Sequence, residues 1–317
     1  MNQEDIVQAA AILKRGGLVA FPTETVYGLG ADAANPAAVK RLYAVKQRPV
    51  AHPVIVHLGD ALQMSHWAQT VPTAARKLAA AFWPGPLTLI LQRAAHVNDA
   101  VTGGQGTVGL RVPAHPVARA LLTAFGGGIA APSANRFGRL SATAAEHVRE
   151  EFGADIDFVL DAGRCDVGIE STIVDVSSGQ PALLRPGQLL GSEIERVLGM
   201  PLAAPGITAP RTPGTLAVHY APATPLKLVP ATALGDELTK LLNSDRRVAV
   251  LALDILPLKS AQLVWLTAPV AAADYAHDLY ANLRWLDRAC CDVILVERPP
   301  ASPEWTAVTD RLRRAAG

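Results

Sequence analysis

Leu18-Val19-Ala20-Phe21-Pro22-Thr23-Glu24-Thr25-Val26-Tyr27-Gly28-Leu29, followed by Asn35-Pro36 and closed by Lys46-Gln47-Arg48-Pro49, is the stretch on which the fold turns. Its four leading apolar residues read as a buried strand, and Pro22 stops it because proline has no N–H to give to a ladder. Asn35 is suited to cap a helix and Pro36 to open it, so a helix runs to about Lys46, with Pro49 blocking its continuation. Lys46 and Arg48 then stand where helix becomes loop.

Outward from there, residues 3–15 read as an amphipathic helix ended by Gly16-Gly17. Strands are expected at 54–58, 87–91, 107–112, 129–131, 157–160, 171–176 and 182–185, with helices from Pro72, over 116–125, 143–152 and 192–198. This interleaving predicts an α/β fold, and the strands that follow one another directly favour a twisted mixed sheet over a purely parallel one. Six prolines between 201 and 225 make that segment a semi-rigid connector. Beyond it, strands at 226–229, 248–251, 263–266 and 293–296, with helices at 232–243, 271–288 and from about 303, predict a small Rossmann-like α/β domain. The expected organisation is a catalytic domain over 1–200, a linker over 201–225 and a C-terminal domain over 226–317.

The 317 residues suit two domains, and 29 basic against 28 acidic side chains leave a net charge of +1. Such balance argues against stable binding of duplex DNA or of an anionic membrane, both of which draw on a basic excess. Cys165, Cys290 and Cys291 fit neither a disulfide framework nor a zinc site. The acidic opening Met1–Asp5 lacks the marks of a secretory signal, and no apolar run is long enough to span a bilayer, so a cytoplasmic protein is expected. Gly104-Gln105-Gly106-Thr107-Val108-Gly109 fits a dinucleotide fingerprint in letters only, because a strand and not a helix follows it.

More informative are five short polar segments, each just after a strand or helix end, where they can face one cleft. They are Pro22–Leu29, Lys46-Gln47-Arg48-Pro49, Pro132-Ser133-Ala134-Asn135, Gly168-Ile169-Glu170-Ser171-Thr172 and Leu184-Arg185-Pro186-Gly187. Singly, each has an ordinary reading: Thr25 as a turn hydroxyl, Lys46 and Arg48 as a solvated helix end, Ser133 with Asn135 as a turn.

Together, and in this order, they resemble the YrdC-like family of threonylcarbamoyl-AMP synthases, in its longer form with a linker and second domain. The resemblance spans essentially the whole chain. It implies that L-threonine and bicarbonate form a carbamate whose oxygen attacks the α-phosphate of ATP, expelling pyrophosphate, and that a partner complex then passes the group to tRNA adenosine. Lys46 and Arg48 would be the catalytic cations, with Mg2+ completing the neutralisation of the phosphates. The nucleotide would be held by these two with His52, Thr107, Ser133, Asn135, Ser141, Arg185 and, from the linker, Tyr220. The amino acid would be held by Thr25, His57, Arg111, Ala131 and Ser171. Arg111 as an edge-strand surface residue and His57 as a core histidine are the ordinary alternatives.

Val54, where the family more often has leucine, is a departure expected to touch core packing alone. In the C-terminal domain, Asp254, Glu297 and Trp305 sit in contexts that caps and packing explain. Two rivals stay open. A carbamoyl-transfer maturation enzyme shares a related domain but adds an acylphosphatase region and zinc-binding cysteine pairs, which are absent here. An RNA-binding or ribosome-assembly protein could use the same basic cleft, although the near-neutral charge weighs against it.

Overall fold

The computed structural model describes residues 3–206, 208–216, 218–253 and 260–317. Asp254 therefore lies outside the described residues, as do Ile207 and Ala217 of the proline-rich segment. The chain divides into two compact units, one of Met1–Phe137 with Ser141–Thr215, the other of Gly138–Leu140 with Leu216–Gly317.

In the first unit the elements run α1 Gln3–Lys14, β1 Val19–Phe21, β2 Gly28–Asp32, α2 Pro36–Lys46, β3 Ile55–His57, α3 Met64–Trp67, α4 Thr73–Phe82 and β4 Leu87–Gln92. They continue with α5 Asp99–Thr102, β5 Thr107–Arg111, α6 Pro116–Phe125, β6 Ile129–Ala130, α7 Ala145–Phe152, β7 Phe158–Val159, β8 Thr172–Asp175, β9 Ala182–Arg185 and α8 Gly191–Leu198. One nine-stranded sheet results, in the order β7-β1-β2-β6-β3-β5-β4-β8-β9. It is mixed: β3 with β5 and β4 with β8 are parallel, while β1 with β2 and β4 with β5 are antiparallel.

Helix α2 forms as its ends dictate. Asn35 accepts from the N–H groups of Ala37 and Ala38, Pro36 occupies the first position, and the left-handed Gln47 (φ 54°) returns its N–H to Tyr43 and Ala44. Strand β2 escapes sequence reading because Gly28-Leu29-Gly30-Ala31-Asp32 has no β-branched side chain. Its glycine at 30 is a packing requirement: a Cβ there would lie 2.8 Å from Ile129 and 2.9 Å from Phe21. The neighbouring strands close over that gap.

In the second unit β10 Leu226–Val229, α9 Ala231–Asn243, β11 Val248–Ala252, β12 Leu263–Thr267, α10 Ala272–Asp287, β13 Val293–Glu297 and α11 Thr306–Ala316 build a four-stranded sheet, ordered β10-β13-β11-β12. Every pairing in it is parallel. β11 is buried on both faces, as parallel sheets covered by helices require. Among the described residues of 201–225 only isolated bridges occur, Ala203 with Ala182 and Ala221 with Arg139. All three cysteines are free. No helix among the described residues is long and apolar enough to cross a membrane.

Candidate active site

Pro22 ends β1, and the next residues fold on their own hydroxyl. Thr23 Oγ1 donates to the Val26 carbonyl (2.6 Å) and accepts from the N–H groups of Thr25 and Val26 (both 3.2 Å). This turn sets Glu24 and Thr25 against the end of β5. There Arg111 donates from Nη1 to Thr25 Oγ1 (2.8 Å) and from Nε to the Gly85 carbonyl (3.2 Å), and its Nη2 stands 2.7 Å from Glu24 Oε1. Glu24 Oε2 accepts from the Ala114 N–H. β5 is an inner strand between β3 and β4, so Arg111 is buried, and the surface reading of this residue falls.

His57 stands opposite Arg111 in the parallel register of β3 and β5, with the Phe21 ring edge-on at 5.9 Å. Burial, and then the Arg111 charge, push its pKa down to about 3, so the imidazole is neutral at physiological pH. Hydrogen bonding to the backbone of Ile55 and Ile129 works in the opposite sense and is outweighed.

Lys46 is not the solvated helix end that spacing alone allows. It is 1% exposed, and its Nζ donates to the carbonyls of Ser133 (2.6 Å) and Asn135. Burial, followed by the neighbouring Arg48 charge, lowers its pKa well below the ordinary lysine value. Two carbonyl acceptors work in the opposite sense by favouring the ammonium form. Arg48, just past the left-handed Gln47, donates to the carbonyls of Pro53 (2.7 Å) and His52 (3.3 Å) and lies over the Phe137 ring at 5.5 Å. The His52 ring packs on the same phenyl at 5.4 Å. Phe137 in turn donates its N–H to the Lys46 carbonyl (2.9 Å).

The Ser133–Asn135 loop is fixed by backbone as well. Ala131 donates to the Ile55 carbonyl and Ala134 to the Tyr27 carbonyl, and Ser133 bridges Gly28. Ser141 Oγ donates to Glu170 Oε1 at 2.5 Å. Ser171 shares a hydrogen bond with Thr88 (2.8 Å), and Arg185 donates from Nη2 to its Oγ (3.1 Å) and from Nε and Nη2 to its carbonyl. Gly187 is obligatory here, since a Cβ would come within 2.4 Å of the Thr172 nitrogen.

Two groupings result in the first unit. One joins Thr25, Arg111 and His57; the other joins Lys46, Arg48, His52, Ser133 and Asn135. Val167 and Gly168 donate to the carbonyls of Glu24 and Thr25, which draws the Glu170–Ser171 segment to the first grouping. Thr107 starts β5, four residues and roughly 13 Å along the strand from Arg111. Tyr220 belongs to the second unit, buried against Tyr280 (5.8 Å) and beneath the Arg311 guanidinium (5.2 Å), with a left-handed φ of 60°. Sequence reading passed over Glu24, Glu170, Thr88 and Phe137. The two carboxylates had a signal, each being the lone acid inside a quoted motif beside a hydroxyl residue.

Fixed cations and hydroxyls in a nearly dry interior define an α/β protein built to hold an anionic ligand at the ends of its strands. A sequence profile described as Sua5/YciO/YrdC, telomere recombination, matches residues 11–187, and one for the C-terminal domain of threonylcarbamoyl-AMP synthase matches 191–317. The chain belongs to the Sua5/YciO/YrdC family. It is 38% identical to the threonylcarbamoyl-AMP synthase of Pyrococcus abyssi over 98% of this chain and 93% of that protein. To the Bacillus subtilis threonylcarbamoyl-AMP synthase it is 38% identical, over 100% of this chain and 94% of the other. Among solved structures, P. abyssi Sua5 complexed with L-threonine superposes with a TM-score of 0.92 at 36% identity, covering 100% of this chain and 95% of that one.

Proposed function

We propose that this chain is an L-threonylcarbamoyladenylate synthase, an enzyme that joins L-threonine, bicarbonate and ATP into threonylcarbamoyl-AMP, releasing water and pyrophosphate, for tRNA modification. The observation that carries the reading is the buried Arg111, held by Glu24, Thr25 and Gly85 beside the neutral His57. An arginine so fixed presents its remaining N–H groups as a preset fork for an amino-acid carboxylate. A neutral imidazole next to it adds a hydrogen bond without a second charge. Thr25, Ala131 and Ser171 complete the amino-acid side.

Threonine carbamate attacks the α-phosphorus through its oxygen, the new P–O bond forms, and the bond to pyrophosphate breaks. Negative charge grows on the phosphates during that exchange, and Lys46, Arg48 and Arg185 answer it from positions set in advance, with no reorganisation at the moment of reaction. An arriving phosphate also favours the ammonium form of Lys46, against the burial that depresses it. His52, Thr107, Ser133, Asn135 and Ser141 are the further nucleotide contacts, and the resemblance adds Tyr220. Mg2+ comes with ATP and supplies charge neutralisation. On this chain's side Glu170, buried and bonded to Ser141, is a carboxylate that would meet it. The product, a labile mixed anhydride, passes in the cytoplasm to a complex that transfers the group to tRNA adenosine.

The test is pyrophosphate release from ATP with Mg2+ and bicarbonate, with and without L-threonine, beside Lys46→Ala and Arg48→Ala. Threonine-dependent release that falls by about 10²–10³ in each variant is expected. Release indifferent to threonine, or unaltered in both variants, sinks the reading.

A further inference from the structure

Gly138-Arg139-Leu140 belongs to the second unit, although its chain neighbours Phe137 and Ser141 belong to the first. The second unit holds it by backbone. Ala221 donates its N–H to the Gly138 carbonyl (2.9 Å) and bridges Arg139, and Arg284, in the last turn of α10, donates from Nη2 to the Leu140 carbonyl at 2.5 Å. No side chain of the tripeptide is needed for these bonds.

Both ends of the tripeptide run directly into the nucleotide side. At one end, Phe137 carries the Arg48 guanidinium on its ring and bonds the Lys46 carbonyl, and two residues earlier Asn135 accepts from Lys46 Nζ. At the other, Ser141 is bonded to Glu170. The tie to the amino-acid side is one step longer: Arg111, Thr25 and His57 sit on β5, the β1–β2 turn and β3, reached from Ser141 through Glu170 to Ser171 and from the Ala142 carbonyl through the Tyr27 N–H (2.8 Å).

We infer that the second unit acts on the catalytic unit through Gly138–Leu140, and that Arg284 is a positioning residue for the nucleotide side of the site. The inference rests on the synthase reading for the identity of that ligand. Losing one charge-assisted hydrogen bond at Leu140 slackens the 135–141 loop and disturbs the threonine grouping less, because that grouping is one step further from the tripeptide.

The experiment uses the full chain with Arg284→Ala, with Arg284→Lys, and with two glycines inserted between Leu140 and Ser141. The insertion slackens the tether without touching any side chain. Binding of a non-hydrolysable ATP analogue and of L-threonine is measured by calorimetry, and exchange of the Phe137 amide by hydrogen–deuterium exchange. Arg284→Ala and the insertion are expected to weaken nucleotide affinity by about tenfold and speed the Phe137 exchange, with threonine affinity held within about twofold and Arg284→Lys restoring most of the loss. Equal losses for both ligands in a folded variant, or an unchanged Phe137 exchange, would overturn the inference. The exchange measurement needs no nucleotide, so a native chain that failed to bind ATP would strike the functional reading while the tether was still judged by the amide.

Discussion

β5 and β11 are both inner strands with a neighbour on either side, yet β5 ends on Arg111, whereas β11 runs Val248-Ala249-Val250-Leu251-Ala252 without a polar side chain. The second unit does bury a carboxylate at a strand end, Glu297 of β13, and spends it on backbone: its Oε2 accepts the Leu253 N–H at 2.7 Å. In the first unit the buried strand-end charge is Arg111, which meets the side chains of Glu24 and Thr25 beside the buried His57. One sheet commits its buried strand-end charge to backbone. The other accepts buried charge, a weak source of stability, and holds it where a charged substrate can repay the desolvation.

The largest expected effect separates the two kinds of interior. Arg111→Ala leaves Glu24 buried without its cation and should cost about 3–5 kcal/mol of unfolding free energy, read by urea titration. Arg111→Met combined with Glu24→Gln, which keeps an acceptor for Ala114, should recover much of that. A double variant as unstable as the single would show that the ion pair is not what the site depends on.

A smaller effect follows from His57. The unfolded chain takes a proton there near pH 6.5, while the folded chain refuses it down to about 3. Stability therefore stands at full strength above pH 6.5 and drains away as pH falls through that window, by about 2 kcal/mol between pH 7.5 and 5. His57→Gln should remove that part of the pH dependence in urea titrations at the two values. Persistence of the same loss would assign it to another group.

The smallest effect belongs to the second unit. Lys227 pairs with Glu237 at 2.7 Å, but its side chain is 55% exposed, so Lys227→Ala should change stability by no more than about 1 kcal/mol. Added salt should erase even that. A larger, salt-insensitive loss would blur the contrast between the units.

Much of this was legible before any coordinates. Asn35-Pro36 and Pro116 announce helix starts through local chemistry, and the apolar runs of β10 to β13 announce strands because burial on both faces leaves little else for them to be. β2 was not legible, since its Gly30 answers to Ile129, far along the chain, as well as to Phe21 on the preceding strand. Glu24 and Arg111 lie 87 positions apart, and nothing in either neighbourhood names the other. Motif order proposed residues for the site, but could not give their state: Lys46 could be placed at a helix end, while its burial depends on carbonyls delivered by the Ser133–Asn135 loop. The attachment of Gly138–Leu140 was the least legible, being made to carbonyl groups that every residue possesses.

That attachment bears on synthesis. Residues 1–137 and 141–215 leave the ribosome before Ala221 and well before Arg284, so the tripeptide has no seat while the rest of its loop is already folding. A nascent chain can complete its larger sheet and still carry one unfinished corner until translation has passed α10.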